Sequence, residues 1–306
     1  MSKKTFYSNG KLLITGEYVV LDGAIALALP TKYGQNLIIE EGENQIISWK
    51  SFDSDGSIWF ESNIPFSSII TKERFDDSTT IKNTLIEILH EAYLMNPDFI
   101  TNSKGYVITT ELTFPKFWGL GTSSTLINNI AQWLEIDAFT LLRKSFGGSG
   151  YDIACAQNDS AILYQLMDEK PMTTLIDFNP SFSDKIYFVY LNRKQNSKTA
   201  IASYYSNHGN IRKTISAINK ITQAVVEATE PKVFAHELQK HEIEMSTILE
   251  MKTVKEALFH DFHGTIKSLG AWGGDFVMVI SKENPTAYFK EKGYEIIIPY
   301  SEMILL

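Results

Sequence analysis

The sequence predicts an α+β fold built from two parts. Segments rich in β-branched and apolar residues dominate the first third of the chain, whereas segments with apolar residues at helical spacing are common afterwards. Strands and helices are mixed and do not alternate strictly, which argues against a doubly wound parallel sheet. The polar, proline-containing run from 167 to 184 is the best candidate for a boundary, so we place the two parts at 1–167 and 168–306.

The individual elements follow from apolar runs, their spacing and the glycines that interrupt them. We expect strands at Thr5–Ser8, Lys11–Thr15, Ala24–Leu29 and Gln35–Glu40, then a hairpin of Gln45–Trp49 and Ser57–Glu61. The pattern next predicts a helix at Ile81–Leu94, a strand at Tyr106–Thr113, helices at Leu126–Leu134, Ala138–Ser145 and Tyr151–Gln157, and a strand at Ala161–Gln165. The second part should contain a strand at Ile186–Leu191, a largely helical stretch over 199–263, a strand at Phe276–Ile280, a helix at Pro285–Glu291 and a strand at Glu295–Pro299.

Composition and charge restrict the class of function. Of the 306 residues 44% are hydrophobic, enough for sizeable cores, and the net charge of −8 argues against a nucleic-acid binder. The single cysteine, Cys155, excludes an internal disulfide and fits a reducing cytoplasm. Gly16 and Glu17 interrupt the apolar run at 12–21, so we expect neither a signal peptide nor a membrane span. These features predict a cytoplasmic protein with no nucleic-acid or membrane partner, and they leave a small-molecule substrate and a homodimer open.

The most informative segment is the glycine- and hydroxyl-rich loop from Gly119 to Thr125, called the phosphate loop below. It leads directly into a predicted helix, whose first turn presents free backbone N–H groups and the positive end of the helix dipole. That arrangement suits a phosphate. An ordinary helix cap needs one hydroxyl group, and the four hydroxyl residues here favour a phosphoryl-transfer site with a metal ion and phosphate oxygens to bind.

Two further glycine-rich segments and one lysine accompany this loop. Asp152 follows the glycines at 147, 148 and 150 and either stabilises a helix N-terminus or orients and deprotonates an acceptor hydroxyl. The glycine cluster over 270–275 is either a tight turn or a close approach of the backbone to a site. Lys11 lies in an otherwise apolar strand and needs a partner, for which Asp152 is the candidate.

These four segments, in this order, resemble the GHMP kinases, the family of galactokinase, homoserine kinase, mevalonate kinase and phosphomevalonate kinase. The resemblance covers nearly the whole chain. It implies the two-lobed GHMP kinase fold, with a βαβ-rich N-terminal lobe that binds ATP and a ferredoxin-like α+β C-terminal lobe on the substrate side. It also implies an ATP-dependent phosphotransferase that uses Mg²⁺ and transfers the γ-phosphoryl group to a hydroxyl or phosphate of a small molecule.

The family's functional residues carry over at the positions that match its motifs. Gly119-Leu120-Gly121-Thr122-Ser123-Ser124 resembles the family's Gly-Leu-Gly-Ser-Ser-Ala loop, which implies ATP binding there and places Ser123 at the serine expected near the metal. Asp152 and Lys11 match the catalytic aspartate and the N-terminal lysine. The resemblance places further residues on the substrate side: Glu17, Tyr18, Ser149, Tyr151, Lys198, Gly273, Gly274 and Asp275.

Two departures from the family pattern concern the nucleotide and the metal. The family's Pro-x-Gly-Ala before the phosphate loop is replaced by Pro115-Lys116-Phe117-Trp118. Several members carry a magnesium-binding glutamate before the aspartate loop, but the corresponding segment 141–146 contains no acid. Metal coordination is then expected to rest on Ser123, Asp152 and nucleotide oxygens. The histidines lack the spacing of a zinc helix, and we assign no metal to them.

The acceptor is inferred from smaller similarities. Gly16-Glu17-Tyr18, Tyr151 before Asp152 and Gly273-Gly274-Asp275 resemble the mevalonate branch and phosphomevalonate kinase within it. The cations of 193–198 suit an anionic acceptor or form a solvated loop. The resemblance thus implies mevalonate or phosphomevalonate as acceptor in isoprenoid precursor synthesis. The alternatives are a non-catalytic nucleotide- or ligand-binding relative and an ATP-dependent diphosphomevalonate decarboxylase.

Overall fold

The structure is a computed structural model that describes residues 3–75, 80–192, 204–205, 211–270, 272 and 274–305. Strands β1 to β11 are Lys4–Leu13, Ala26–Glu41, Ile46–Phe52, Ile58–Pro65, Tyr106–Leu112, Ile162–Met167, Lys170–Leu175, Ile186–Tyr190, Thr265–Ser268, Phe276–Ile280 and Ile297–Pro299. Helices α1 to α11 are Phe66–Ile70, Thr80–Met95, Asp98–Thr101, Thr122–Leu134, Ala138–Ser145, Tyr151–Ala156, Ile211–Glu227, Pro231–Leu249, Val254–Leu258, Thr286–Glu291 and Tyr300–Met303. Within the described residues, none of these helices has the length and apolarity needed to cross a membrane.

The chain forms two compact units, each assembled from several segments. Unit 1 comprises Met1–Gly10, Tyr33–Lys116 and Leu120–Gln157, and unit 2 comprises Lys11–Lys32, Phe117–Gly119 and Asn158–Leu306. The division falls within β1 and β2, so both strands contribute residues to each unit. The sequence-based parts 1–167 and 168–306 are contiguous segments, whereas these compact units are interleaved along the chain.

Unit 1 is a sheet covered by helices. Its strands lie in the order β4-β3-β5-β2, with β3 antiparallel to β4 and parallel to β5, and with residues 35–41 of β2 antiparallel to β5. Apolar side chains of the strands and of α2, α4 and α5 form one core, which includes the buried residues Trp49, Ile88 and Ile127. Helix α4 also packs against α6, so the core fixes the helix pair that carries two of the predicted site segments.

Unit 2 contains an antiparallel sheet in the order β11-β8-β10-β9. Helices α7 to α9 connect β8 to β9, and α10 connects β10 to β11, which is the βαββαβ order of a ferredoxin-like fold. Every residue of β10 is buried. Residues 26–28 of β2 pair with β6, which continues into β7 as a hairpin. The α+β class and the ferredoxin-like C-terminal part predicted from the sequence are therefore confirmed.

The main errors of the sequence prediction concern strands. The strands predicted on either side of Gly10 form the single strand β1, and those on either side of Gly34 form the single strand β2. A Cβ atom on Gly34 would lie 2.2 Å from the Ser8 carbonyl oxygen, so this glycine reflects a close approach of two strands and not a break. Strands β7 and β9 were missed, since β7 is mostly exposed and β9 is only four residues long.

Candidate active site

Residues 120–125 of the phosphate loop lie in unit 1 and start helix α4. Gly121 is the N-cap residue at φ 104°, a left-handed conformation that favours glycine, and no side chain caps the helix. The N–H of Thr125 donates to the Gly121 carbonyl oxygen at 2.9 Å. The N–H groups of Thr122, Ser123 and Ser124 therefore precede the first intrahelical bond and are directed out of the helix start. Groups in this position bind the oxygens of phosphates and other anions.

The four hydroxyl groups of the loop divide into two pairs. Ser124 Oγ donates to the Gly121 carbonyl oxygen at 2.9 Å, and Thr125 Oγ1 donates to Gln35 Oε1 at 2.7 Å, and both side chains are buried. The hydroxyls of the half-buried Thr122 and Ser123 make no hydrogen bond to the part of the chain that the structure describes. Two hydroxyls of the four thus stabilise the loop itself, and two are available to a ligand. Ser124, predicted as a cofactor contact, can offer its N–H group.

A buried hydrogen-bond network fixes α4 within unit 1. Asn129 accepts from Ser8 Oγ at 2.7 Å and donates to the Gln35 carbonyl oxygen at 2.8 Å, and Asn128 donates to Ser8 Oγ at 2.8 Å. Leaving one buried polar partner unsatisfied costs about 1–3 kcal/mol, so a change in the orientation of α4 would cost several such penalties. The network and the fully buried Leu120 thus hold the start of α4 in place.

Asp152 lies in the first turn of α6, also in unit 1. The N-cap residue is Gly150 at φ 93°, and Asp152 is half-buried with its Oδ1 accepting from the Ile153 N–H at 3.1 Å. Gln157, at the end of α6, donates to Asn128 Oδ1 of α4 at 3.0 Å. One packed helix pair therefore carries both the start of the phosphate loop helix and this carboxylate.

Lys11, Gly119 and Asp275 meet in unit 2. Lys11 Nζ donates to the Gly119 carbonyl oxygen at 2.8 Å. Gly119 has φ 68°, and a Cβ atom on it would lie 2.0 Å from Asp275 Oδ2. Burial raises the pKa of Asp275, and the charge of Lys11 opposes this rise. The sequence argument that Lys11 needs a partner is correct, but the partners described here are in unit 2, and the predicted pair with Asp152 stays a prediction.

Substitution of Gly119 by Ala tests this close approach. Gly147 is a matched control because it also has a positive φ, 79°, but no atom lies within 4 Å of its Cβ position. Gly147→Ala should cost only the left-handed strain of about 1–2 kcal/mol. Gly119→Ala should lower the free energy of unfolding by about 1–3 kcal/mol more than this, since the new methyl group would collide with the Asp275 side chain. Urea unfolding measures both, and equal losses would show that the contact is absent.

A buried ionic cluster, which the sequence did not predict, surrounds Glu17 in unit 2. Lys267 Nζ lies 2.5 Å from Glu17 Oε1 and 3.4 Å from Glu242 Oε1, and all three side chains are almost completely buried. His241 Nε2 accepts from the Gly16 N–H at 2.9 Å, so this nitrogen carries no proton. Glu17, predicted on the substrate side, has its carboxyl group engaged within this cluster. Lys267 lies in the four-residue strand β9, which the sequence analysis did not predict, so its need for a buried partner was not recognised from the sequence.

The charges of this cluster nearly balance. Burial raises the pKa of Glu17 to about 7 and also raises the pKa of Glu242, while Lys267 lowers both. Burial and the charge of Lys267 lower the pKa of His241 well below its usual value, so the imidazole is neutral. Glu242 accepts two bonds from Ser268, at 3.1 and 3.0 Å, whereas Glu17 Oε2 has no hydrogen-bond partner among the described residues. We therefore assign the proton that neutralises the cluster to Glu17.

The other predicted substrate-side residues are placed as follows. Tyr18 has φ 62°, and burial raises its pKa to about 12. Ser149 is buried and Tyr151 half-buried around the start of α6, and Gly274 is buried just before β10. Lys198 and Gly273 lie outside the described residues.

The segment that departs from the family pattern before the phosphate loop is partly buried. Trp118 packs within unit 2 against Tyr190 and, edge to face at a centroid distance of 5.5 Å, against Phe276. Phe117, in contrast, is 70% exposed. Tyr190 Oη also donates to the Phe117 carbonyl oxygen at 3.1 Å, so β8 holds the backbone of this segment.

The donor groups present fit a magnesium ion that is held mainly by a nucleotide. Among the described residues, no group of three or more His, Cys, Asp or Glu side chains is gathered as a metal site. Mg²⁺ commonly keeps several waters and binds one or two carboxylates together with substrate phosphates. A hydroxyl from Ser123 and a carboxylate from Asp152, on the packed helices α4 and α6, match that requirement.

Comparison with known proteins shows the fold. No family model and no curated protein matches the sequence. Among solved structures, Methanococcus jannaschii mevalonate kinase matches with a TM-score of 0.72 at 16% identity, over 100% of this chain and 99% of that one. Streptococcus pneumoniae phosphomevalonate kinase, solved with phosphomevalonate and AMPPNP, matches at 0.65 and 15% identity, over 99% and 98%. Lactococcus lactis galactokinase, solved with galactose, matches at 0.65 and 12% identity, over 100% and 95%. The chain therefore has the GHMP kinase fold along its whole length.

Proposed function

We propose that this protein is an ATP-dependent kinase of the GHMP family that phosphorylates a small molecule. The observation that carries the proposal is the start of α4, where uncapped N–H groups and the unbonded hydroxyls of Thr122 and Ser123 lie on a helix packed against the one that bears Asp152. Phosphoryl transfer depends mainly on positioning and on electrostatic stabilisation, and this arrangement provides groups for both. The fold shared with kinases of small molecules supports the same conclusion.

Each residue has a defined part in this proposal. The N–H groups of 122–124 and the hydroxyl of Thr122 bind phosphate oxygens, and Ser123 is a ligand of the metal. When bound, ATP would supply the phosphoryl group, and Mg²⁺ would neutralise part of the charge on the phosphate oxygens. Asp152 orients an acceptor hydroxyl and removes its proton. Lys11, held by the Gly119 carbonyl oxygen, stabilises charge on the transferring oxygens.

We further propose mevalonate or phosphomevalonate as the acceptor. The support is the likeness to mevalonate and phosphomevalonate kinases together with the Gly16-Glu17-Tyr18 and Tyr151-Asp152 motifs. If the acceptor is a phosphomonoester, its second pKa of about 6 makes the nucleophile largely anionic near neutral pH, and Asp152 then serves mainly to position it.

The experiment that tests the function is ADP release with a panel of acceptors: mevalonate, phosphomevalonate, galactose and homoserine. We expect ADP release to depend on one of the first two, with a reaction that lacks acceptor as the control. Binding of ATP without acceptor-dependent ADP release would overturn the kinase proposal and favour a non-catalytic relative, which the altered 115–118 segment and the missing glutamate would then explain. Release of CO₂ from diphosphomevalonate would instead identify a decarboxylase.

A further inference from the structure

Unit 2 contains a cavity of about 580 Å³ at the end of its antiparallel sheet opposite to Asp275. Lys185 immediately before β8, Gly264 and Thr265 at the start of β9, and Ile280 at the end of β10 line it. Asp275 immediately precedes β10. Five residues of strand at about 3.3 Å each separate the two ends, so the cavity lies roughly 17 Å from Asp275 and is distinct from the residues discussed above.

All ionisable side chains that line this cavity are basic. They are Lys185, Lys232, Lys255, Lys282 and His263, and no Asp or Glu is among the lining residues. Such a concentration is unusual in a chain whose net charge is −8. We call this site the cationic cavity.

The four lysines of the cationic cavity form no ion pair with an Asp or Glu side chain in the part of the chain that the structure describes. Among the described residues, the ion pairs formed by lysines involve other positions, such as Lys50, Lys72 and Lys292. Lys255 Nζ donates to the Gly264 carbonyl oxygen at 2.6 Å, which holds one ammonium group in place without removing its charge. Like charges around one cavity repel each other, and a bound anion of matching charge would relieve that repulsion.

The rest of the lining favours a small molecule. Pro231, Ala235, Phe262 and Ile280 provide an apolar surface beside the lysines, and the volume lies within the range of about 300–1,000 Å³ that is typical of small-molecule sites. Pro231 also starts the 19-residue helix α8, whose N-cap residue Glu230 makes no side-chain capping bond. The carboxylate of Glu230 offsets the positive end of the α8 dipole, so the lysines supply the positive potential of the cavity.

We propose that the cationic cavity binds a small molecule that carries a diphosphate or triphosphate group. Four ammonium groups match the three to four negative charges of such a group better than the one or two charges of a carboxylate or monophosphate. The apolar part of the lining accommodates the remainder of the ligand. This site is separate from the phosphate loop, and the proposal does not depend on the proposed kinase activity.

Isothermal titration calorimetry with inorganic tripolyphosphate tests the proposal. The test variant is Lys232→Gln/Lys255→Gln/Lys282→Gln, and the matched control Lys144→Gln/Lys170→Gln/Lys290→Gln removes the same number of charges from exposed positions outside the cavity. The phosphate loop also attracts polyphosphate, so a third variant, Thr122→Ala/Ser123→Ala, separates the two sites. We expect a component of tripolyphosphate binding that weakens at least tenfold in the test variant and persists within twofold in the other two.

Further arms identify the ligand class and protect the test from misfolding. Pyrophosphate should bind the cationic cavity more weakly than tripolyphosphate, and monophosphate more weakly still. The double variant Lys232→Gln/Lys282→Gln changes only exposed side chains. It should also bind tripolyphosphate more weakly, by a smaller factor than the triple variant, and its melting temperature should be unchanged. Tripolyphosphate binding that is the same in the test variant and the charge-matched control would overturn the proposal, as would equal affinity for monophosphate and tripolyphosphate.

Discussion

Replacement of Asp152 by Asn is expected to lower kcat for an alcohol acceptor by about 10²–10⁴-fold, the usual contribution of a positioned general base. The amide has the shape of the carboxylate but cannot accept the proton of the hydroxyl. Its oxygen can still accept from the Ile153 N–H, as Asp152 Oδ1 does at 3.1 Å, so the start of α6 should remain intact. Steady-state ADP release at saturating ATP and acceptor measures the effect.

A matched control for this substitution is Asp137→Asn. Asp137 caps α5 by accepting from the Thr140 N–H at 2.7 Å, a local role similar to that of Asp152, but no motif assigns it to the site. Its replacement should leave kcat within twofold. If Asp152→Asn retains most of its activity with mevalonate, Asp152 is not the base. A large loss with mevalonate and a small one with phosphomevalonate would agree with the nucleophile's own ionisation in the second case.

The second large effect is expected from Lys267→Met, which should destabilise the protein by about 3–5 kcal/mol, as measured by urea unfolding. The methionine fills similar space but leaves two buried carboxyl groups without their cation, and breaking a buried ion pair on one side costs this amount. Lys290→Met, at an exposed position on α10, is the control and should change stability by less than about 0.5 kcal/mol. A loss below 1 kcal/mol for Lys267→Met would mean that the cluster contributes little.

The pH dependence of this loss follows from the raised pKa of Glu17. A carboxyl group whose pKa rises from 4.5 to about 7 on folding binds more protons in the folded state, so its contribution to stability is present below pH 4.5 and is lost as the pH rises through 7. Removing Lys267 raises that pKa further, since Lys267 lowers it in the native protein. The deficit of Lys267→Met should therefore be smallest near pH 5 and largest above pH 8. His241 opposes Glu17 in the wild-type profile, because its lowered pKa costs stability as the pH falls below 6.5. Lys267 contributes to that lowering, so its removal relieves part of this cost and also makes the deficit smaller at low pH. A deficit that does not change between pH 5 and 8 would contradict the assignment.

Local sequence patterns predicted many elements closely. The hairpin of β3 and β4, helices α2 and α5 and strand β5 appear within four residues of their expected bounds, and α5 matches them fully, because each depends on periodicity and on turn residues nearby. The continuity of β2 through Gly34 was not predictable in the same way. This continuity depends on β1 lying beside β2, where Gly34 approaches Ser8 from a distant part of the chain.

In the candidate site, too, some features were predictable from the local sequence and others depend on distant contacts. The glycines at 119, 121 and 150 all have positive φ, as expected for loops that change direction before a helix. The use of Ser124 and Thr125 to stabilise the loop was not predicted, because it depends on Gln35 and on the geometry of the N-cap. The sequence therefore overcounted the hydroxyls that a ligand can reach.

By itself, the sequence determined the α+β class, the loop that starts α4 and the carboxylate at the start of α6, since spacing, glycine and helix-terminal chemistry are properties of short segments. Only the tertiary structure decided the partner of Lys11, the burial of Glu17 and the existence of the cationic cavity. Lys267 and Glu17 are 250 residues apart in the chain, and the four lysines of the cavity come from four separate segments. The physical reason is that charge pairing and burial depend on which distant segments fold against each other, and no local pattern contains that information.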